Sequence, residues 1–193
     1  MSKWDMALGD RFPAVLAGAQ AGEEHAWAAL YDELSGKLAR YLRARGAREP
    51  EDLVGEVFVQ LARGLRRFRG NESALRGWAF LIARNRLLDE LRRSSRHPVA
   101  ALEAVDPDTL VATGDTEADA LGRIDSARLR RHLEALTPDQ RDVLLLRVVG
   151  DLSLEQVAAA LGKRVGAVTQ LQRRGLAALR RELAQQDREE VPA

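Results

Sequence analysis

The side chains in this sequence best placed to do chemistry lie in residues 153–183, SLEQVAAALGKRVGAVTQLQRRGLAALRREL, and that chemistry is recognition of an anion. On a helix starting near Val165, one side carries Thr169, Gln170, Arg173, Arg174, Arg180 and Arg181, with Lys163 and Arg164 just ahead of it. Hydroxyl and amide groups suit base edges; guanidinium groups suit guanine edges and phosphates. An ordinary helical hairpin would show the same apolar spacing, so the polar side decides. It holds six basic residues and one acid, Glu182, between 163 and 182, a balance that favours phosphate over plain solvent.

Two helices and a tight turn must position that face. Ala158 supplies a small residue at the helix crossing. Gly162, four residues on, can take a positive φ in the turn, and Val168, six further, anchors the second helix. Ser153 and Gln156 form a capping box that starts the first helix. The stripe Val165, Val168, Leu171, Leu176, Leu179, Leu183 is predicted to face the core. The second helix of such a unit is shaped to lie in a major groove.

A second recognition surface is predicted in residues 78–93, WAFLIARNRLLDELRR. Here Trp78, Leu81, Ile82, Leu88 and Leu91 are expected inside, and Asn85, Arg86, Asp89, Arg92 and Arg93 outside. Amide and carboxylate groups four apart, followed by paired arginines, set base-edge partners beside phosphate partners. Ion pairs such as Asp89–Arg93 on a solvated face are the competing reading. The preceding stretch, 66–77, holds Arg66, Arg67, Arg69 and Arg76, which suits single-stranded nucleic acid. Phe68, Trp78 and Phe80 are read as core rather than stacking platforms. In residues 51–61, EDLVGEVFVQL, Asp52, Glu56 and Gln60 recur at four-residue spacing, either as a solvent face or as a face that docks another protein.

Composition narrows the classes. The chain has 193 residues, room for one or two small domains, and no cysteine, so disulfides and thiolate metal sites are excluded. His25, His97 and His132 are scattered, without metal-ligand spacing, and no GxxxxGK[ST] loop suggests nucleotide hydrolysis. No catalytic cluster, cofactor site or metal site is predicted. No apolar run is long enough to span a bilayer, and MSKWDMALGD lacks a signal pattern, so a cytoplasmic location is expected. The net charge of +1 conceals two basic blocks: residues 97–122 hold six acids and no lysine or arginine.

Strand periodicity is missing, and helices are predicted near 11–20, 22–45, 50–70, 73–95, 123–135, 138–149, 154–161 and 165–185. Pro13 and Pro50 sit at helix starts, and Thr137 with Gln140 forms a further capping box. The expected fold is all-α: a helical bundle over 1–96, a flexible acidic linker over 97–122, a helix-turn-helix domain over 123–185 and a tail over 186–193.

Together these segments resemble the sigma-70 family of bacterial RNA polymerase initiation factors, in its small two-domain, extracytoplasmic-function form. DLVGEVFVQL is similar to the family's polymerase-docking helix, WAFLIARNRLLDELRR to the helix that reads and melts the −10 element, and LTPDQRDVLLLRVVGDLSLEQVAAALGKRVGAVTQLQRRGLAALRREL to the domain that binds the −35 element. The resemblance spans residues 12–185 and implies a promoter-specificity subunit that is not an enzyme. It implies that Asp52, Glu56, Val57, Phe58 and Gln60 dock on the clamp helices of the largest polymerase subunit. Arg76, Asn85, Arg86, Asp89, Arg92 and Arg93 would engage the −10 region, with the 66–76 loop holding a flipped base. Thr169, Gln170 and Arg173 would face −35 base edges, and Lys163, Arg164, Arg174 and Arg180 would hold phosphates. An anti-sigma partner is implied too, through which the chain could be held at a membrane without inserting; no small-molecule substrate is implied.

The sequence departs from the family at Gly55, where glutamine is usual, and at Gln170-Leu171, where serine-arginine is frequent. Leu171-Gln172 followed by RRGLAALRR is similar to some actinobacterial members. A free-standing helix-turn-helix regulator, with 1–96 as a sensor or dimerisation domain, is the alternative. An interaction module or a nuclease-like enzyme is more distant.

Overall fold

The computed structural model describes residues 8–96 and 132–189, and every regular element among them is helical. A 3-10 turn, Gly9–Arg11, leads into α1 (Phe12–Ala21), α2 (Glu24–Ala44), α3 (Pro50–Leu65) and α4 (Glu72–Arg96). The second set is α5 (Pro138–Val148), α6 (Leu154–Leu161) and α7 (Val165–Glu189). The predicted acidic linker, and all but the end of the predicted helix at 123–135, lie outside the described residues.

Local chemistry sets the helix ends. Pro13 and Pro50 occupy first turns, where their missing N–H has no intrahelical acceptor to lose. Glu51 and Asp52 add negative charge at the positive end of α3. Both predicted capping boxes form: Thr137 with Gln140 opens α5, and Ser153 with Gln156 opens α6. Each supplies partners for amides the helix leaves unpaired, about 1 kcal/mol per cap.

In the first module α2 packs on α1, α3 and α4, and α3 packs on α4. Its interior joins Leu30, Leu34, Leu38, Tyr41 and Leu42 of α2 with Val57, Leu61 and Leu65 of α3 and Ala79, Phe80, Ala83 and Leu87 of α4. Burial of each large aliphatic side chain contributes about 1.5–3 kcal/mol. On α4 the predicted inward set is partly wrong. Ile82 is buried, but Leu91 is exposed, and Trp78, Leu81 and Leu88 are only half-buried. The buried residues are Leu75, Ala79, Phe80, Ala83 and Leu87. The reason is that α4 is packed from two sides, by α2 and α3 and by α6.

In the second module α5, α6 and α7 pack on one another around Val143, Leu144, Leu146, Leu152, Val157 and Val168. The two modules also touch. Besides α4 on α6, α2 packs on α5.

Candidate nucleic-acid interface

The turn between α6 and α7 has the predicted form. Gly162 adopts φ 62°, a left-handed conformation that closes α6, and the Lys163 amide donates to Ala158 O at 2.9 Å. Val168 is fully buried beneath α7. Further along, Gly175 lets α7 approach α5: a β-carbon there would lie 3.0 Å from Leu144 Cδ1. The predicted apolar stripe needs correction. Val168, Leu171 and Leu179 face inward, but Val165, Leu176 and Leu183 are among the exposed large apolar residues. Gly175 takes a place on the buried face instead, so that face is rotated from the line of large apolar residues.

The polar side of α7 stands clear. Thr169, Gln170, Arg173, Arg174, Arg180 and Arg181 are all exposed, as is Arg164 in the turn. Among the described residues, none of these arginines makes an ion pair. Thr169 Oγ1 donates to Val165 O at 3.0 Å, which fixes the hydroxyl while leaving its lone pairs outward. Lys163 is half-buried and lies 2.9 Å from Asp139 Oδ2, so it bridges to α5 where the sequence suggested an open phosphate ligand. Exposed guanidinium groups with an amide and a hydroxyl, on one helix, suit a major groove.

In the first module Asn85 and Asp89 project from α4, one turn apart and exposed. Asp89 Oδ1 pairs with Arg92 at 3.2 Å, and Arg93 Nε donates to the Asp89 carbonyl at 3.3 Å. Arg86 Nε reaches Glu56 Oε2 of α3 at 3.5 Å, so the predicted −10 face and the predicted docking face meet along one edge. Ahead of α4, the basic loop is braced from below. Gln20 of α1 donates to Leu65 O and Phe68 O at 2.9 and 3.0 Å, and Phe68 stacks on Trp78 with ring centroids 5.6 Å apart. Phe68, Trp78 and Phe80 all join the core. Arg66, Arg67 and Arg69 remain exposed.

Two predicted site residues are not presented. Arg76 is buried. Its Nη1 lies 2.8 Å from Asp151 Oδ2, its Nη2 2.9 Å from Glu72 Oε1, and Glu33 Oε1 is 3.8 Å away. Val57 is fully buried in the core and lies behind the predicted docking face. The presented residues of that face are Asp52, Glu56, Gln60 and half-buried Phe58. Tyr31 and Val59, both about half exposed, join them, with the Tyr31 ring 4.9 Å from Phe58. Val59 was legible: it falls between Glu56 and Gln60 on the same side of α3. Tyr31 was not, because it arrives from α2 through packing. Among the described residues, no group of His, Cys, Asp or Glu is placed to hold a metal.

Two helical modules, each with exposed basic residues, are the class of protein the fold defines. The sigma-70 region 2 family model matches residues 28–97 and the sigma-70 region 4 model residues 126–179. The sequence is 31% identical over 181 residues to the ECF RNA polymerase sigma factor SigD of Mycobacterium tuberculosis, covering 91% of this chain and 85% of that one. It is 31% identical over 174 residues to ECF sigma factor BldN of Streptomyces coelicolor, covering 89% and 65%. The solved structure of CnrH in complex with the cytosolic domain of CnrY superposes with TM-score 0.65 at 25% identity, covering 91% of this chain and 98% of that one. This chain belongs to the sigma-70 family, as an extracytoplasmic-function sigma factor.

Proposed function

We propose that this chain is a promoter-specificity subunit that binds core RNA polymerase, reads −35 and −10 elements and supports DNA melting, without catalysis of its own. The observation that carries this reading is the joining, in one family member, of the exposed arginine face of α7 to a second basic surface around Asn85 and Asp89. Neither surface alone needs to bind tightly. A tether makes the second contact intramolecular, so two weak readers act as one.

In this reading Thr169, Gln170 and Arg173 face −35 base edges, while Arg164, Arg174 and Arg180 hold phosphates. Asn85, Asp89, Arg92 and Arg93 receive the −10 region. Residues 1–96 and 123–185 are the two working domains. Asp52, Glu56, Phe58 and Gln60, joined by Tyr31 and Val59, dock on the clamp helices of the largest polymerase subunit. An exposed acidic face edged with apolar side chains suits a basic helical partner. The protein works in the cytoplasm; no helix among the described residues is long and apolar enough to cross a membrane. An anti-sigma factor is its resting partner, supported by the solved complex of CnrH with CnrY.

The test is run-off transcription with core polymerase on a pool of genomic promoters, with and without the protein. New transcripts that share upstream elements are expected. If none form while duplex binding persists without polymerase, the free-standing regulator takes the place of this reading.

A further inference from the structure

Gln20, near the end of α1, has no place in the recognition surfaces above, yet it holds the basic loop that leads into α4. That loop, residues 66–71, carries Arg66, Arg67 and Arg69, all exposed. Tied only at its two ends, a segment of this length would sample many conformations. Two contacts from opposite sides prevent that, and both act on Phe68.

The ring of Phe68 lies against α4. It stacks on Trp78 at an interplanar angle of 4°. Gly70 makes room for the ring: an added β-carbon would lie 2.9 Å from Phe68 Cζ and 3.0 Å from Ala74 Cβ. The carbonyl of Phe68 is held by α1. Gln20 Nε2 donates to Phe68 O at 3.0 Å and to Leu65 O, in the last turn of α3, at 2.9 Å. A primary amide has two N–H groups, and both are used. The side chain therefore sets the loop's position relative to the end of α3. Arg69 Nη1 tightens the same turn by donating to Phe68 O at 2.8 Å and Arg66 O at 3.2 Å.

The footing of Gln20 is firm. Gly22, with φ 90°, ends α1 and turns the chain into α2. At buried Gly18 the two helices close together, where an added β-carbon would lie 3.0 Å from Ala26 Cβ. Ala19, beside Gln20, is buried, and Gln20 itself is half-buried. An ordinary tertiary tie could serve any loop. This one is fastened at the residue that lies among three exposed arginines.

We propose that Gln20 is a positioning residue for promoter opening: it holds residues 66–71 in the shape that receives an unstacked base of the −10 element. The inference rests on the −10 reading given under Proposed function. A preformed site binds more tightly than one ordered by its ligand, because less conformational freedom is lost on binding. When only a fraction of molecules has the loop in the receiving shape, apparent affinity falls by that fraction.

Gln20→Met keeps the length of the side chain and removes both donors. Gln20→Glu keeps its shape and turns a carboxylate onto two carbonyl oxygens. Each full-length variant is combined with core polymerase, and 2-aminopurine in the −10 element of promoters recovered from the genomic pool follows opening. Loss of two hydrogen bonds of ordinary strength is expected to slow opening about tenfold. Affinity for core polymerase and for duplex carrying the −35 element is expected to stay unchanged, a split that general loss of stability would not produce. Hydrogen exchange of the free chain should become faster in residues 66–71 while the helices keep their protection. Opening at the parent rate, loop exchange at the parent rate, or core and duplex affinities that fall as far as opening does would each overturn the assignment. A parent that opens no promoter removes the proposed function and this inference with it; a parent that opens promoters no faster than its Gln20 variants removes the inference alone.

Discussion

At the residue scale, the proposed function divides the arginines of α7 by what they would touch on DNA, and the division has measurable signatures. Arg173→Ala should cost about 1–3 kcal/mol against the preferred −35 sequence and relax selection at one base position. Arg174→Ala should weaken all sequences alike and lower the salt slope of binding by about 1. Holoenzyme binding titrations at several salt concentrations check both; equal effects on selection would refute the assignment. Asn85→Ala should spare duplex binding and slow promoter opening, with about 1 kcal/mol lost for a hydrogen bond to an unstacked base. Stopped-flow fluorescence of open-complex formation reads that step. The α7 residues were legible because an arginine-rich side opposite an apolar one is a local pattern. Arg76 was misjudged in part for the complementary reason: Glu72, one turn away, is a local partner, but Asp151 and Glu33, which complete its burial, lie 75 and 43 residues away.

At the element scale, α3 contains two glycines whose replacement by alanine should have opposite signs. Gly55 is exposed, and a β-carbon there meets nothing within 4 Å. Gly55→Ala should therefore stabilise the helix by about 1 kcal/mol, a rise of roughly 2–4 °C in Tm for a chain of this size. At Gly64 an added β-carbon would lie 2.7 and 2.8 Å from Trp78 ring atoms. That ring is stacked on Phe68 and cannot simply turn away. Overpacking costs typically 1–3 kcal/mol and exceeds the propensity gain of about 1, so Gly64→Ala should destabilise. Denaturant midpoints of the two variants decide the matter, and a matching rise in both would show that Trp78 yields freely. Helix positions and both capping boxes could be read from the sequence because caps, prolines and apolar periodicity act within a few residues. Periodicity failed on α4 and α7 where a helix is packed from two sides or where a glycine occupies the contact line. In both cases the buried arc is set by neighbours distant in sequence.

At the scale of the whole molecule, the question is whether two modules whose apolar interiors join in one cluster unfold as one. Asp142 makes them interdependent, since its carboxylate neutralises Arg45 and Arg84 across the junction. Burial and the adjacent carboxylate also push the Tyr41 phenol well above its ordinary pKa, so the hydroxyl stays protonated and keeps donating. Nearby, burial and then the charge of Arg45 lower the pKa of the Arg141 guanidinium, a sign that positive charge is already crowded there. Asp142→Asn leaves that crowd without its anion. Were the junction forced to stay shut, breaking such a buried pair would cost about 3–5 kcal/mol. The modules have another course: they can part, and water then hydrates the arginines. The loss is thereby limited to the free energy of the junction, the apolar contacts across it included. Calorimetry should accordingly show one cooperative transition for the parent. For Asp142→Asn it should show two overlapping transitions, with the less stable module melting first. A single transition merely shifted to lower temperature would mean that Asp142 serves the core of its own module and that the modules are coupled by other contacts.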